Sequence, residues 1–244
     1  MTVRGPIRVV AFTWIALALA AVHADERQNP APVDRAASGS GDAGAEAGYR
    51  GLFDGSDMSQ WEGAGGPAEA CWKIEDGVLV GLAKKGPWLR SLEEYGDFNL
   101  RLEYRVEHAA NSGVYVRVPA DGTHHRETTA QPPAGFEVQI IDDSARKYGS
   151  LKDYQFCGAV YGLAGPASRL SRPAGEWNSL EINCLGNRIT VVHNGVKIVD
   201  ITPESHPLIE LRQQRGYLGL QNHGGGVGFR NIRVGPPLQS SSAE

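Results

Sequence analysis

Four polar side chains occupy alternate positions in two apolar segments, and together they could act on a ligand. Tyr115 and Arg117 alternate with valines in residues 114–118, and Glu137 and Gln139 alternate with large apolar side chains in residues 136–141. Because successive side chains of a β-strand point to opposite faces, this spacing predicts two strands with one buried face and one polar face. A carboxylate, a guanidinium, an amide and a phenol on one surface suit a carbohydrate, whose hydroxyls need polar partners and whose C–H faces stack on rings. The alternative is an ordinary solvated strand face with a Glu–Arg pair.

Histidines lie in two loops that could contribute to a binding site. His124 and His125 lie in the long connection between these two segments, and long connections in compact domains are often binding loops. Adjacent side chains diverge, so this pair does not have the spacing of metal ligands. His223 follows a predicted strand and precedes three glycines, where it could serve as a general base near neutral pH or be an exposed turn residue.

Acidic residues after the second segment suggest a cation site. Asp142 and Asp143 follow Glu137 closely, and carboxylate oxygens are the ligands that calcium prefers. Glu137 and Asp142 are therefore the candidate metal ligands, although no standard calcium-loop motif is present.

Several enzyme classes lack their motifs in this chain. The sequence contains no Gly-x-Ser-x-Gly elbow, no phosphate-binding glycine loop and no His-Glu-x-x-His zinc motif. A retaining glycosidase needs two carboxylates close together, whereas the polar face here offers Glu137 followed by Gln139. The net charge of −4 and the absence of a basic stripe argue against a nucleic-acid partner.

Short strands and turn signals dominate the chain from residue 72 onward, and no helical period is sustained. Asp76-Gly77 and Asn194-Gly195 are typical of tight hairpin turns. Strict alternation over residues 98–107 predicts a strand with one buried face. We therefore expect an all-β fold, a two-sheet antiparallel β-sandwich.

The ends of the chain have other compositions. Residues 1–24 have two arginines, an apolar run and small residues before Asp25, which is typical of a secretory signal peptide and predicts a secreted or periplasmic protein with no membrane span after cleavage. Residues 25–48 are predicted to be a flexible linker, residues 49–235 the β-sandwich domain and residues 236–244 a disordered tail. The three cysteines, Cys71, Cys157 and Cys184, allow one disulfide or none.

A series of motifs spread over residues 52–234 resembles the 3-keto-disaccharide hydrolase family, which is built on a concanavalin A-like jelly roll. The motifs are LFDG at 52–55, WKIEDG at 72–77, NSGVYVR at 111–117, FEVQI at 136–140, GAVYG at 158–162, EWN at 176–178, GLQNHG at 219–224 and FRNI at 229–232. Their order within one domain is more specific than any single motif.

This resemblance implies a hydrolase or lyase that cleaves 3-keto-glycosides. A ketone at C3 acidifies the C2 proton, so a base can remove it and the substituent at C1 can be eliminated. The catalytic candidates are then Glu137 or His223 for proton transfer and Arg117 for the enolate. No cofactor is required, and a divalent cation such as calcium near Glu137 is optional. The residues expected to bind a small carbohydrate are Asn111, Tyr115, Gln139, Tyr161 and Gln221.

Two other interpretations remain open at this level. The same fold class hosts non-catalytic carbohydrate-binding modules, and a polar sheet face can also meet a protein partner of the cell envelope. The sequence does not predict the oligomeric state.

Overall fold

The computed structural model describes residues 48–239, which contain thirteen β-strands and no α-helix. The predicted signal peptide, all of the predicted linker except Gly48, and residues 240–244 of the predicted tail lie outside the described residues. The strands are β1 (Arg50–Phe53), β2 (Trp61–Ala64), β3 (Trp72–Glu75), β4 (Val78–Gly81), β5 (Trp88–Tyr95), β6 (Phe98–Val106), β7 (Asn111–Val118), β8 (Phe136–Ile141), β9 (Asn178–Leu185), β10 (Arg188–His193), β11 (Val196–Ile201), β12 (Gly216–Leu220) and β13 (Val227–Gly235). Short 3-10 turns lie at Ala68–Ala70, Arg146–Tyr148, Asp153–Gln155 and Pro207–Leu211.

The strands form two antiparallel sheets, as expected for a jelly-roll sandwich. The larger sheet has eight strands in the order β11-β10-β9-β6-β13-β4-β3, with β1 also paired to β13. The smaller sheet has five strands in the order β2-β5-β12-β7-β8. The all-β, two-sheet prediction is therefore confirmed.

The inner faces of the two sheets supply the core. Alternate residues of β6 from Phe98 to Val106 are all buried, and so are Val114, Val116, Val138 and Ile140 of the smaller sheet. These are the positions that the two-residue period assigned to a buried face. The predicted hairpin turns also form, with positive φ at both residues of Asp76-Gly77 and of Asn194-Gly195.

The three cysteine thiols are free and buried, so they serve as small core side chains rather than as a disulfide. Among the residues that the structure describes, no helix is long and apolar enough to cross a membrane.

Candidate functional site

The outer face of the smaller sheet presents three neighbouring rows of side chains. The pairing of β7 with β8 places Tyr115 opposite Glu137, Gly113 opposite Gln139 and Asn111 opposite Ile141. On the other side of β7, Gly219 of β12 pairs with Tyr115, and the backbone N–H of Gln221 donates to the carbonyl of Gly113. Residues that are far apart in sequence therefore meet on one surface.

A cleft of about 460 Å³ opens on this surface, a size within the usual range of small-molecule sites. One side is the sheet, and the other is the chain that follows β8. The residues that line the cleft are Asn111, His124, Glu137, Gln139, Ile141, Tyr148, Leu151, Gln155, Tyr161, Gln221 and His223.

Glu137 is the carboxylate of this cleft, and only 3% of its surface is exposed. Its Oε2 lies 3.0 Å from Nε2 of His124, and its Oε1 accepts a hydrogen bond of 2.8 Å from Nε2 of Gln221. The side chain extends over Gly113, because a β-carbon at that position would lie 2.4 Å from Oε1 of Glu137. The carboxylate can take this position only because residue 113 has no side chain.

His124 has an acceptor at each ring nitrogen. Nε2 faces Glu137 at 3.0 Å, and Nδ1 lies 3.1 Å from the carbonyl oxygen of Gly122. Burial by itself lowers the pKa of His124, but the hydrogen bond and the negative charge of Glu137, together with the Gly122 carbonyl, raise it above its ordinary value. The geometry thus favours an imidazolium that donates to Glu137.

Arg212 and Trp88 both help to hold the loop that carries His124. Nη1 of the buried Arg212 donates to the carbonyls of His124 at 2.7 Å and of Gly135 at 3.1 Å. Burial, with repulsion from Arg126, lowers the pKa of Arg212 to about 10. The Trp88 ring also packs against Gly122, where a β-carbon would approach it to 3.0 Å. These contacts position the imidazole from outside the cleft.

Tyr115 supports the Glu137–His124 pair from below. Its ring stacks on His124 with centroids 4.9 Å apart, and it meets Trp88 edge-on at 5.2 Å. Burial and the nearby Glu137 carboxylate raise its pKa well above the ordinary tyrosine value, so the phenol stays protonated. Its hydroxyl accepts a hydrogen bond of 3.0 Å from Gln221, which bridges it to Glu137.

Three amide side chains that line the cleft have unpaired acceptors. The carbonyl oxygens of Asn111, Gln139 and Gln221 are buried and have no hydrogen-bond partner within residues 48–239. A buried polar atom without a partner costs about 1–3 kcal/mol, so a ligand that donates to these oxygens once the amides turn toward it gains free energy. Hydroxyl groups are donors of this kind.

Arg117 is not in the cleft, so the expectation that it shares a face with Tyr115 is wrong. Between Tyr115 and Val118, β7 has one residue more than β12, and Arg117 has a φ of +52° in this bulge. A bulge redirects the side chain of the extra residue. The fully buried guanidinium donates instead to the carbonyls of Gly96 and Gly186 and to Asp97 at 2.9 Å. It connects β7 to the β9–β10 turn of the larger sheet and to the turn that joins β5 of the smaller sheet to β6 of the larger one.

The predicted metal ligands Glu137 and Asp142 also lie apart. Asp142 lines a different cavity, where it accepts hydrogen bonds from Ser144 at 2.6 Å and from the N–H of Ala109 at 2.7 Å. Both oxygens of Glu137 already have partners. In the described part of the chain, no group of three His, Cys, Asp or Glu side chains could hold a metal ion.

The structure brings most of the predicted residues together. The candidates that line the cleft are Asn111, Glu137, Gln139, Tyr161, Gln221 and His223, with Tyr115 behind them. The sequence interpretation assigned no role to His124, although the long loop pointed to its neighbourhood. Nothing local in the sequence marks Arg212, Tyr148 or Leu151, because their positions depend on the packing of distant segments.

The chain matches one protein-family model and is similar to several known proteins. Residues 48–235 match the family model of the 3-keto-alpha-glucoside-1,2-lyase-like domain. A 3-keto-disaccharide hydrolase of Bacteroides thetaiotaomicron is 26% identical over 235 residues, covering 77% of this chain and 78% of the relative.

Solved structures from Parabacteroides distasonis, assigned as glycosyl hydrolases, are also similar. One is 25% identical with a TM-score of 0.65, covering 79% of this chain and 94% of the other. A second is 30% identical with a TM-score of 0.62, covering 76% of this chain and 98% of the other.

Proposed function

The chain belongs to the family of the 3-keto-alpha-glucoside-1,2-lyase-like domain, and from this premise we propose that it cleaves 3-keto-glycosides by proton abstraction at C2 and elimination at C1. A carbohydrate hydrolase type of function follows from the family and its relatives. The proposal adds the oxidised substrate and the order of bond changes.

The observation that carries the proposal is a lone carboxylate in the cleft, paired with a histidine. Among the residues that line the cleft, Glu137 is the one acid, and His124 lies 3.0 Å from it. An ordinary glycosidase uses two carboxylates, one on each side of the scissile bond. A 3-keto-glycoside needs one base and a donor to the developing enolate, and Glu137 with His124 matches that requirement.

In the proposed first step, Glu137 takes the proton from C2 and the electron pair of the C–H bond moves into an enolate with the C3 oxygen. The protonated Glu137 no longer needs its hydrogen bond from His124. The imidazolium can then donate to the enolate oxygen, which lowers the energy of the charge that develops there.

In the second step, the ketone re-forms, a C1–C2 double bond forms and the bond from C1 to the leaving oxygen breaks. His223, on the cleft wall, is the candidate that protonates this oxygen. Water then adds to C1, its remaining proton goes to His223, and Glu137 returns a proton to C2. The sum is hydrolysis, and release before water addition would make the enzyme a lyase.

Recognition of the sugar would come from the unpaired amide oxygens. Gln139 and Gln221 each offer a buried acceptor near Glu137, Asn111 offers one near Ile141, and Tyr161 adds a phenol. Hydroxyls that donate to these acceptors would orient the ring so that C2 faces Glu137.

The test uses residues 25–244 incubated with 3-keto-trehalose and, separately, with trehalose. We expect release of 3-keto-glucose and glucose from the oxidised sugar alone. In D₂O, deuterium should appear at C2, because the proton returned there has exchanged with solvent. Glu137→Gln should lower kcat by at least about a thousandfold, since it removes the base.

Glu181→Gln is the matched control, because Glu181 lies on the larger sheet and pairs with Arg101. It should keep wild-type turnover. Binding of both sugars with no turnover of either would favour a carbohydrate-binding module instead. Cleavage of trehalose at the same rate would contradict the need for the C3 ketone.

We also propose that the protein acts outside the cytoplasm, from the leader-like composition of residues 1–24. Expression of the full chain in a bacterial host tests this. A mature N-terminus at Asp25 in the periplasmic or culture fraction is the expected result.

A further inference from the structure

The floor of the cleft changes from charged to apolar along strand β8. Glu137, Gln139 and Ile141 are alternate residues of this strand, and all line the cleft. At about 3.3 Å per residue, Glu137 and Ile141 are separated by roughly 13 Å, more than the length of one sugar ring. The cleft therefore has room for a second chemical group beyond the sugar that Glu137 acts on.

The end at Ile141 has apolar side chains on its second wall as well, together with one amide, that of Asn111. The hydroxyl of Tyr148 donates to the carbonyl of Ala109 at 3.1 Å, just before Asn111, which pairs with Ile141. This bond fixes the ring at that end and occupies its hydroxyl. Leu151 also lines the cleft, and both Tyr148 and Leu151 are partly buried against the core.

The opposite end of the cleft is occupied by polar groups. His124 stacks on Tyr115 beside Glu137, and the N–H of Tyr161 donates to the carbonyl of Glu137 at 2.8 Å. A ring held with C2 at Glu137 has its adjacent carbon, C1, available to point toward Ile141. The substituent at C1 would then lie over the apolar end.

We propose that Ile141, Tyr148 and Leu151 form a subsite for an apolar, aromatic leaving group, so that the preferred substrates are 3-keto-glycosides of aromatic alcohols. This inference rests on the proposed function and names its substrate class. Contact with the ring would stabilise the complex by removing apolar surface from water.

The test compares 4-methylumbelliferyl and methyl 3-keto-α-glucosides, which share the sugar and differ in the leaving group. The wild-type ratio of kcat/KM for the two also reflects the better leaving ability of the aryl group, so the change of this ratio on mutation is the readout. Leu151→Ser should lower the ratio about tenfold, and Leu151→Met should restore it, because a hydrophobic pocket discriminates by contact area.

Leu92→Ser is the control, since Leu92 is 54% exposed and lies on β5 outside the cleft. It should leave the ratio as in the wild type. An unchanged ratio in Leu151→Ser overturns the subsite even when turnover confirms the proposed function.

A second measurement separates the two proposals if no substrate is turned over. Calorimetry with the unoxidised methylumbelliferyl and methyl α-glucosides then tests the subsite alone. At least tenfold tighter binding of the aryl glucoside, lost in Leu151→Ser, supports the subsite, and equal affinities overturn it.

Discussion

On the outer face of the smaller sheet, the side chain of Glu137 fills the space that a side chain of Gly113 would take. The two residues are on adjacent strands, and a β-carbon on Gly113 would lie 2.4 Å from Oε1 and 2.9 Å from Cγ of Glu137. A real β-carbon does not approach atoms this closely, so the carboxylate can reach Gln221 only because residue 113 has no side chain. The glycine is therefore part of the site, although it makes no contact through a functional group.

Gly113→Ala should displace the carboxylate and lower kcat/KM for 3-keto-trehalose at least about a hundredfold, because errors of about 1 Å in a catalytic group have effects of this size. The backbone of Gly113 is not in the positive-φ region, so the fold should persist by circular dichroism. Gly51→Ala is the control, since a β-carbon there meets nothing within 4 Å. Wild-type turnover in Gly113→Ala would show that the position of Glu137 over Gly113 is not used.

The raised pKa of His124 predicts how activity depends on pH. The imidazolium persists above the usual titration range of histidine, and activity should fall as pH rises through this raised pKa. His124→Gln should have lower kcat and should lack this basic limb in a profile of kcat against pH. The ion pair with Glu137 also stabilises the fold below pH about 6.5, and that contribution is lost as pH rises through the folded-state pKa. An unaltered basic limb in His124→Gln would assign it to another group.

Arg117→Met should affect stability far more than turnover. The fully buried guanidinium makes three hydrogen bonds, two of them to turn carbonyls. Removing it takes this donor from both carbonyls, whereas Asp97 still accepts from the N–H of Gly186. We expect a loss of about 1–3 kcal/mol in the free energy of unfolding, measured by urea denaturation, because Asp97 is partly exposed and the cost comes from the carbonyls. The kcat of the folded fraction should stay within about threefold of wild type. A thousandfold lower kcat at wild-type stability would support the catalytic role that the alternation of residues in β7 predicted for Arg117.

His193 predicts a loss of stability in acid. The His193 side chain is fully buried in the core, and the hydroxyl of Tyr104 lies 2.9 Å from its Nε2. Burial lowers the pKa of His193 to about 4. An unfolded histidine has a pKa of about 6.5, so the unfolded state binds more protons between these values and stability falls as pH falls through that window. Across this window, the shifted pKa of His193 changes the free energy of unfolding by on the order of 3 kcal/mol.

His193→Gln keeps an acceptor for Tyr104 but does not titrate. Its free energy of unfolding should therefore depend less on pH between about 6.5 and 4 than that of the wild type. His206→Gln is the control on the partly exposed turn before Pro207. Parallel pH curves for wild type and His193→Gln would contradict the assignment.

Two features of the site could not be read from local sequence. Alternation placed Tyr115 and Arg117 on one face, but the bulge that turns Arg117 away depends on how β7 pairs with β12, a strand about a hundred residues later. The partner of Glu137 is another case. His124 reaches it because Arg212 and Trp88 hold its loop, and neither residue is near it in the chain.

What the sequence determined by itself was the periodic part of the molecule. Two-residue alternation and Asp-Gly and Asn-Gly turns are local, so they predicted the two-sheet sandwich, its core and the outward direction of Tyr115, Glu137 and Gln139. Register, bulges and loop anchoring involve pairs of segments that are distant in the chain. Only the tertiary structure could therefore pair Glu137 with His124, move Arg117 into the interior and place an apolar end on the cleft.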